Sequence, residues 1–347
     1  MRKKRIEWID YVRCISMVMI IVCHTYAPSF LRNFLFAVNV PVFFVLSGYL
    51  TREKKITETM KNGFFTLLIP YIVTVLIMFL ISLISLQRHV KGMITTDNWY
   101  HYIIAGLYGI GAPTNQSIIP NANIPAIGAI WFLLAMYFGN VIYQIVLRFS
   151  NRFSSNISSV ILIFLSVVFA ISGFTISHFV QLPWSIGAAF ISIAFYVAGH
   201  LIRKYDFMNI NNQNLLFSLF GLLLWTIATI EGPFGVVDGI AAHPFIAMLG
   251  AIGGSYFLMY FIKTLSLYVN IPLLAKLGRL ALITLSIHII FLNLFSDTVF
   301  LSRKMLEYHL LPEIIGILLD IYRVVFCWIL TLILSKFKLV NKLFAIR

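Results

Sequence analysis

Ten apolar runs, each near the length that crosses a bilayer, constrain this chain more than anything else in it. Their limits fall at about 8–27, 33–50, 64–86, 126–147, 158–178, 184–202, 214–231, 242–265, 277–297 and 312–335. A helix needs roughly 20 apolar residues to cross about 30 Å of hydrocarbon. Inside lipid every backbone N–H and C=O must find its partner within the protein, so consecutive runs of this kind fold as helices. The expected fold is all-α, a polytopic membrane bundle with about ten transmembrane helices in a single domain over 1–347. No soluble domain is expected after the last span. With 60% hydrophobic and 11% charged residues among 347, a soluble globular chain is excluded.

The net charge of +14 would point to nucleic acid in a soluble protein, but its distribution assigns it to topology. Of the 26 Lys and Arg, two (Arg13, Arg323) lie within spans away from the basic span ends, where Lys263 and Arg279 are counted with the adjoining connections. Five (Arg32, Arg88, Lys91, Arg303, Lys304) fall in connections on one side, and the other nineteen fall on the opposite side. Basic short loops stay in the cytoplasm. Both termini are therefore expected there, and no nucleic-acid partner is needed. The basic start MRKKR before an apolar run looks like a signal peptide. The run is long, carries charges and lacks a small-x-small cleavage site, so it reads as a retained helix. Cys14, Cys23 and Cys327 all sit inside apolar runs, offer neither a disulfide framework nor a metal site, and read as packing residues.

The first run, WIDYVRCISMVMIIVCHTYA, carries Asp10, Arg13 and His24. Ionisable side chains at membrane depth face the bundle interior and mark function. His24 follows Arg13 by eleven residues, which is three turns plus about 20° and a rise of about 16 Å. One helix face thus holds a carboxylate and a guanidinium near one membrane surface and an imidazole near the other. Read blandly, Asp10 and Arg13 are an i,i+3 ion pair and His24 a structural hydrogen-bonding residue. For the pair the two readings are even; for His24 its depth favours function.

Further along, Pro41 should interrupt the second span, and Ser47 and Gly48 permit close helix contact. The connection TREKKITETMKNG is basic, a topology determinant or a phosphate-binding surface. Residues 87–125 form the longest non-spanning stretch, placed outside, with Trp99, Tyr100, Tyr102 and Tyr108 beside Asn and Gln; this suits a sugar-like ligand and equally an aromatic belt. His288 is the second histidine in an apolar run. Asp320 and Arg323, spaced i,i+3, are expected to neutralise each other.

The pattern Ile9-Asp10-Tyr11-Val12-Arg13 with His24 eleven residues on resembles the membrane-bound acyltransferase-3 family. So do the segment Pro41 to Leu50, Leu67-Leu68-Ile69-Pro70-Tyr71, Trp131-Phe132-Leu133, and Gly278 followed ten residues later by His288. The matches run in order along almost the whole chain. Two positions depart from the family pattern. Gly63-Phe64-Phe65-Thr66 stands where relatives carry basic residues, with Lys61 alone nearby, and Ala281 and Leu285 stand where Ser and Tyr are common.

The resemblance implies a membrane acyltransferase, by family an O-acetyltransferase, of the bacterial cytoplasmic membrane. Its donor would be cytoplasmic acyl-CoA, commonly acetyl-CoA, and its acceptor a hydroxyl of a cell-surface or lipid-linked carbohydrate. Separate surface-glycan assembly proteins are possible partners, and no metal is involved. It places His24 as general base or acyl acceptor, Arg13 as donor anchor or charge stabiliser, and Asp10 as the residue orienting Arg13. Ser47, Arg52, Lys54, Lys55 and Lys61 join Arg13 on the donor side, and Trp99, Tyr102, Trp131 and His288 fall on the acceptor side. Ten spans with buried charge and a Pro-interrupted helix also fit a transporter or flippase, though no inverted repeat is visible. A membrane sensor that binds ligand without turnover is the third reading.

Overall fold

The computed structural model describes residues 6–88 and 100–346. The chain begins with α1 (Glu7–Thr25), α2 (Ser29–Asn39), α3 (Pro41–Leu50), α4 (Ile56–Gly63), a π-helical turn (Phe64–Leu68) and α5 (Ile69–Arg88). A short α6 (His101–Tyr108) precedes α7 (Trp131–Ser150), α8 (Ser155–Phe179), a 3₁₀ turn (Pro183–Ser185), α9 (Ile186–Lys204) and α10 (Asn212–Glu231). A small hairpin of β1 (Phe234–Gly235) and β2 (Ile240–Ala241) leads to α11 (Pro244–Leu265), α12 (Pro272–Arg279), α13 (Ala281–Leu294), α14 (Asp297–Glu307), α15 (Pro312–Leu334) and α16 (Lys338–Leu343). Among the described residues nine helical stretches are long and apolar enough to cross a membrane, or ten if α12 and α13 form one bent span. The expected all-α bundle of about ten spans is what the chain forms.

Three spans differ in detail from their sequence limits. The second begins at Ser29 rather than near 33, and α2 and α3 pass the membrane-span criterion together as Ser29–Leu50. Pro41 opens α3 at its first turn, where a missing N–H costs little. The third begins at Ile56, because Gly63 keeps helical backbone angles (φ −61°, ψ −38°) and the π turn carries the helix through. The ninth is bent by 69° between α12 and α13, at Leu280 (φ −95°, ψ 11°).

Lipid tails are as apolar as leucine, so helices in a bilayer associate by close packing rather than by hydrophobic burial. The crossing of α3 and α9 shows this. A Cβ added at Gly48 would lie 2.0 Å from the Tyr196 carbonyl oxygen, and one at Gly199 would lie 1.9 Å from that of Val45. Large apolar side chains on the outer faces of α8 and α10, such as Phe164, Ile171, Leu216 and Phe220, are exposed to the surroundings a membrane would fill. The three cysteines are buried and free, as packing residues should be.

One expected pairing is corrected. Arg323, only 2% exposed, bonds Asp297 across a 2.8 Å contact rather than Asp320. Asp297 opens α14, which folds back on α15 and brings the carboxylate to the guanidinium; the Tyr322 hydroxyl donates to the same carboxylate at 3.0 Å.

Candidate active site

The site is built around α1, whose nineteen residues contact α2, α11, α12, α13 and α15. Asp10 is 1% exposed and lies between two guanidinium groups. Arg13 Nη1 approaches Asp10 Oδ1 at 3.4 Å, and Arg279 Nη1 approaches Oδ2 at 4.0 Å. Arg279 reaches there because Gly278 lets α12 dock on the α1 backbone; a Cβ at Gly278 would lie 1.8 Å from the Asp10 carbonyl oxygen. A buried carboxylate needs such compensation, and here it fixes both arginines at the mouth of a cavity.

That cavity has a volume of about 740 Å³ and opens at the end of the bundle where α1 begins. Its lining joins Arg13, Ser47, Arg52 and Lys54 with Arg279, which the sequence reading did not count among the site residues. Asn140 and Gln144, also unassigned from sequence, hold the wall in place. Ser47 Oγ donates to Asn140 Oδ1 at 3.2 Å. Gln144 accepts from the Lys54 backbone N–H and donates to the Arg52 carbonyl, both at 3.1 Å, so one amide clamps the strand of chain that presents two cations. The signal for these two was present: polar residues four apart within the apolar span Trp131–Ser150. Lys55 and Lys61 are exposed and lie outside the lining. Met17, Phe43, Leu282 and Leu285 make the deeper walls apolar.

His24 lies toward the other end of α1 and does not line this cavity. Its Nδ1 is 2.7 Å from the Ile20 carbonyl oxygen. A carbonyl only accepts, so Nδ1 carries the proton and Nε2 keeps its lone pair. The ring sits edge-on to His288, with centroids 5.5 Å apart, and to Phe36 at 5.2 Å. His288 is fully buried, and neither of its ring nitrogens has a hydrogen-bond partner among the described residues. Burying such a group without a partner is costly, and such groups concentrate where a fold has work beyond its own stability. The two membrane histidines thus meet although 264 residues separate them in the chain (288 − 24).

The remaining sequence candidates sit close by in the same half. Tyr102, 3% exposed, donates from its hydroxyl to the Asn293 carbonyl at 3.1 Å and so ties α6 to the helix that carries His288. Trp131, 6% exposed, packs under Gly111. Both rings are enclosed by protein and neither presents an open platform. Trp99 lies outside the described residues.

An all-helical polytopic bundle with a cationic cavity at one end of its first span and a histidine pair toward the other defines a multi-pass membrane protein with a polarised internal site. The chain belongs to the acyltransferase-3 family, whose model, an acyltransferase domain, matches residues 6–336. It is by that membership a membrane acyltransferase. No curated protein and no solved structure matches the chain.

Proposed function

We propose that this protein transfers an acyl group, acetyl in particular, from cytoplasmic acyl-CoA to a hydroxyl of a cell-surface or lipid-linked carbohydrate. In this reading it resides in the bacterial cytoplasmic membrane with both termini inside. The observation that carries the proposal is the polarity of α1. Its first turns border a cavity with four cationic side chains and apolar depth, and a histidine with a free Nε2 lone pair lies about 16 Å further along. Coenzyme A combines phosphates with a long, mostly uncharged arm. Arg13, Arg52, Lys54 and Arg279 suit the phosphates, with Lys55 and Lys61 at the approach. Asp10 keeps Arg13 and Arg279 in position, and Ser47 and the apolar wall suit the arm.

At the far end, His24 Nε2 takes the proton of the acceptor hydroxyl as its oxygen attacks the thioester carbonyl carbon. The Ile20 carbonyl, bonded to Nδ1–H, fixes the tautomer and steadies the imidazolium that forms. The C–S bond then breaks, the imidazolium returns its proton to the departing thiolate, and free CoA thiol and an O-acyl ester result. Attack by His24 itself, with an acyl-imidazole intermediate, uses the same lone pair. His288, Tyr102, Trp131 and Trp99 belong to the acceptor side.

The purified full chain, given labelled acetyl-CoA and an acceptor glycan in detergent, separates this reading from its rivals. Acyl transfer with CoA release supports it; movement of substrate across liposomes without acylation supports a transporter, and binding without turnover a sensor. His24→Gln keeps a hydrogen-bonding side chain but cannot take up the proton. It is expected to lower turnover by at least about 10²–10⁴-fold while acetyl-CoA still binds. Near-normal transfer by His24→Gln would remove the assignment.

A further inference from the structure

A second cavity, of about 520 Å³, lies between residues 110–124, Gln181 and the β1–β2 turn. By the alternation of spans it sits at the end of the bundle toward which His24 lies, away from the cationic cavity. Its volume falls within the range of about 300–1,000 Å³ usual for small-molecule sites.

The cavity is held by its own hydrogen bonds. Thr114 and Ile124 pair through both backbone bonds, at 3.0 and 2.8 Å. The Gln181 N–H donates to the Gln116 carbonyl at 2.7 Å. Gln181 Nε2 donates to the Asp238 and Ser177 carbonyls, both at 2.9 Å, which leaves its Oε1 free to accept. The Asp238 carboxylate closes the turn by accepting the Ile240 N–H at 3.4 Å. Its neighbour Gly235 has no room for a side chain, since a Cβ there would meet Asp238 Oδ1 at 2.2 Å.

The chemistry of the lining is selective. The side-chain amides of Asn115, Gln116 and Asn123 make no hydrogen bond within the described protein, so three donor–acceptor pairs remain for a ligand. Among the described residues Asp238 is the one charged member of the lining, and no Lys or Arg joins it. An anionic guest would meet a carboxylate with no cation to offset it. An amide offers one donor and one acceptor side by side, which matches adjacent hydroxyls. Ile110, Ile124 and Val237 supply apolar wall for the C–H faces between them. Trp131 packs behind the cavity wall rather than lining it. A Cβ at Gly111 would meet Trp131 Cδ1 at 2.1 Å and Val237 Cγ2 at 2.5 Å, so only this backbone separates the indole from the cavity wall.

We infer that this cavity is a saccharide subsite that accepts uncharged or amine-bearing sugar residues and rejects uronate- or phosphate-bearing ones. It rests on the acyl-transfer reading only for its purpose, holding an acceptor chain while another of its residues is acylated. Saccharide binding itself can be measured without any transfer.

The test uses the full-length protein in detergent with four probes: maltohexaose and chitohexaose as neutral chains, chitosan hexamer as the amine-bearing chain, and hexagalacturonate as the anionic one. Saturation-transfer NMR and calorimetry read the binding. At least one of the first three should bind, and hexagalacturonate should not. Asn115→Ala with Asn123→Ala should weaken that binding about 5- to 150-fold, since each lost hydrogen bond contributes about 0.5–1.5 kcal/mol. Asp238→Asn, which keeps an acceptor for the turn, should relax the exclusion of hexagalacturonate. Acetyl-CoA binding should stay within about twofold of wild type in both variants, which shows that they fold. Failure of all four probes to bind, binding of hexagalacturonate as strong as that of the neutral chains, or undiminished binding in the double Ala variant would each overturn the inference. If CoA-dependent transfer persists in such a case, the proposed function stands without this subsite. Saccharide binding without transfer by the wild type would leave the subsite and remove the enzyme reading.

Discussion

Gly278→Ala tests whether Arg279 and Asp10 are held together by backbone docking. The added Cβ would meet three backbone atoms of Asp10: the carbonyl oxygen at 1.8 Å, the carbonyl carbon at 2.6 Å and Cα at 3.0 Å. No side-chain rotation relieves contacts with backbone, so α12 must withdraw from α1. Reaching even a tight 3.0 Å contact with the oxygen takes a shift of about 1.2 Å. Arg279 Nη1 stands 4.0 Å from Asp10 Oδ2, at the edge of ion-pair distance, and the same shift carries it past that edge. Overpacking of this kind costs about 1–3 kcal/mol. Weakening one of the two cationic neighbours that Asp10, 1% exposed, has among the described residues adds to it, though less than the about 3–5 kcal/mol of breaking a fully buried pair. Arg13 stays in place and Arg279 is one-third exposed. The expected total is about 2–4 kcal/mol. The assay is thermal unfolding of the purified protein in detergent, read beside acyl-CoA affinity. Both should fall, and Arg279→Gln in the Gly278→Ala background should add little to the loss of affinity. A melting midpoint and affinity equal to wild type would refute the docking argument.

Other outcomes follow from the same structure. Gln144→Ala removes the clamp on the Arg52 and Lys54 backbone; it should raise the KM for acyl-CoA several-fold with little change in kcat, the pattern of lost binding shared by ground and transition states. Arg323→Gln should lower the melting midpoint by stranding Asp297 in a partly buried site, and adding Asp297→Asn should recover part of the loss. For topology, a cysteine replacing Asn115 should react from outside with an impermeant reagent in intact cells, and one replacing Asn341 only after lysis; outside labelling at 341 would reverse the orientation read from the basic loops.

The spans were legible because the length of an apolar run is set by the bilayer and not by the rest of the fold. Their internal breaks, apart from the one at Pro41, were not. The 69° bend at Leu280 falls inside the run that reads as the ninth span, and the helix through Gly63 continues where a loop was expected. Arg323 illustrates a deeper limit. Sequence spacing offers Asp320 as its partner, since i,i+3 residues share a helix face. The actual partner, Asp297, arrives only because α14 turns back on α15. A local periodicity can nominate neighbours on one helix, but it does not weigh them against a neighbour from another.

The site divides along the same line. Everything carried by α1 was readable: Asp10 beside Arg13, and His24 eleven residues on. What meets α1 from elsewhere was readable only as isolated residues. Arg279 beside Asp10 and His288 beside His24 come from two helices joined by the bend, α12 at one level and α13 at the other. The bend therefore sets both halves of the site against one straight helix. In the proposed function it would also set the distance an acyl-CoA donor has to cover. Met17 and Leu285 line the cavity, and His24 lies seven residues beyond the first, about 10 Å, while His288 lies three beyond the second, about 4.5 Å. A thioester anchored by Arg13 and Arg279 would meet His24 only after passing between α1 and α13. The residues flanking that passage, Met17, Leu282 and Leu285, carry no charge. An uncharged arm passes such walls at little desolvation cost, whereas phosphate would lose its hydration without compensation. The chemistry that would hold the nucleotide at one end is thus the same chemistry that would admit only its arm to the other.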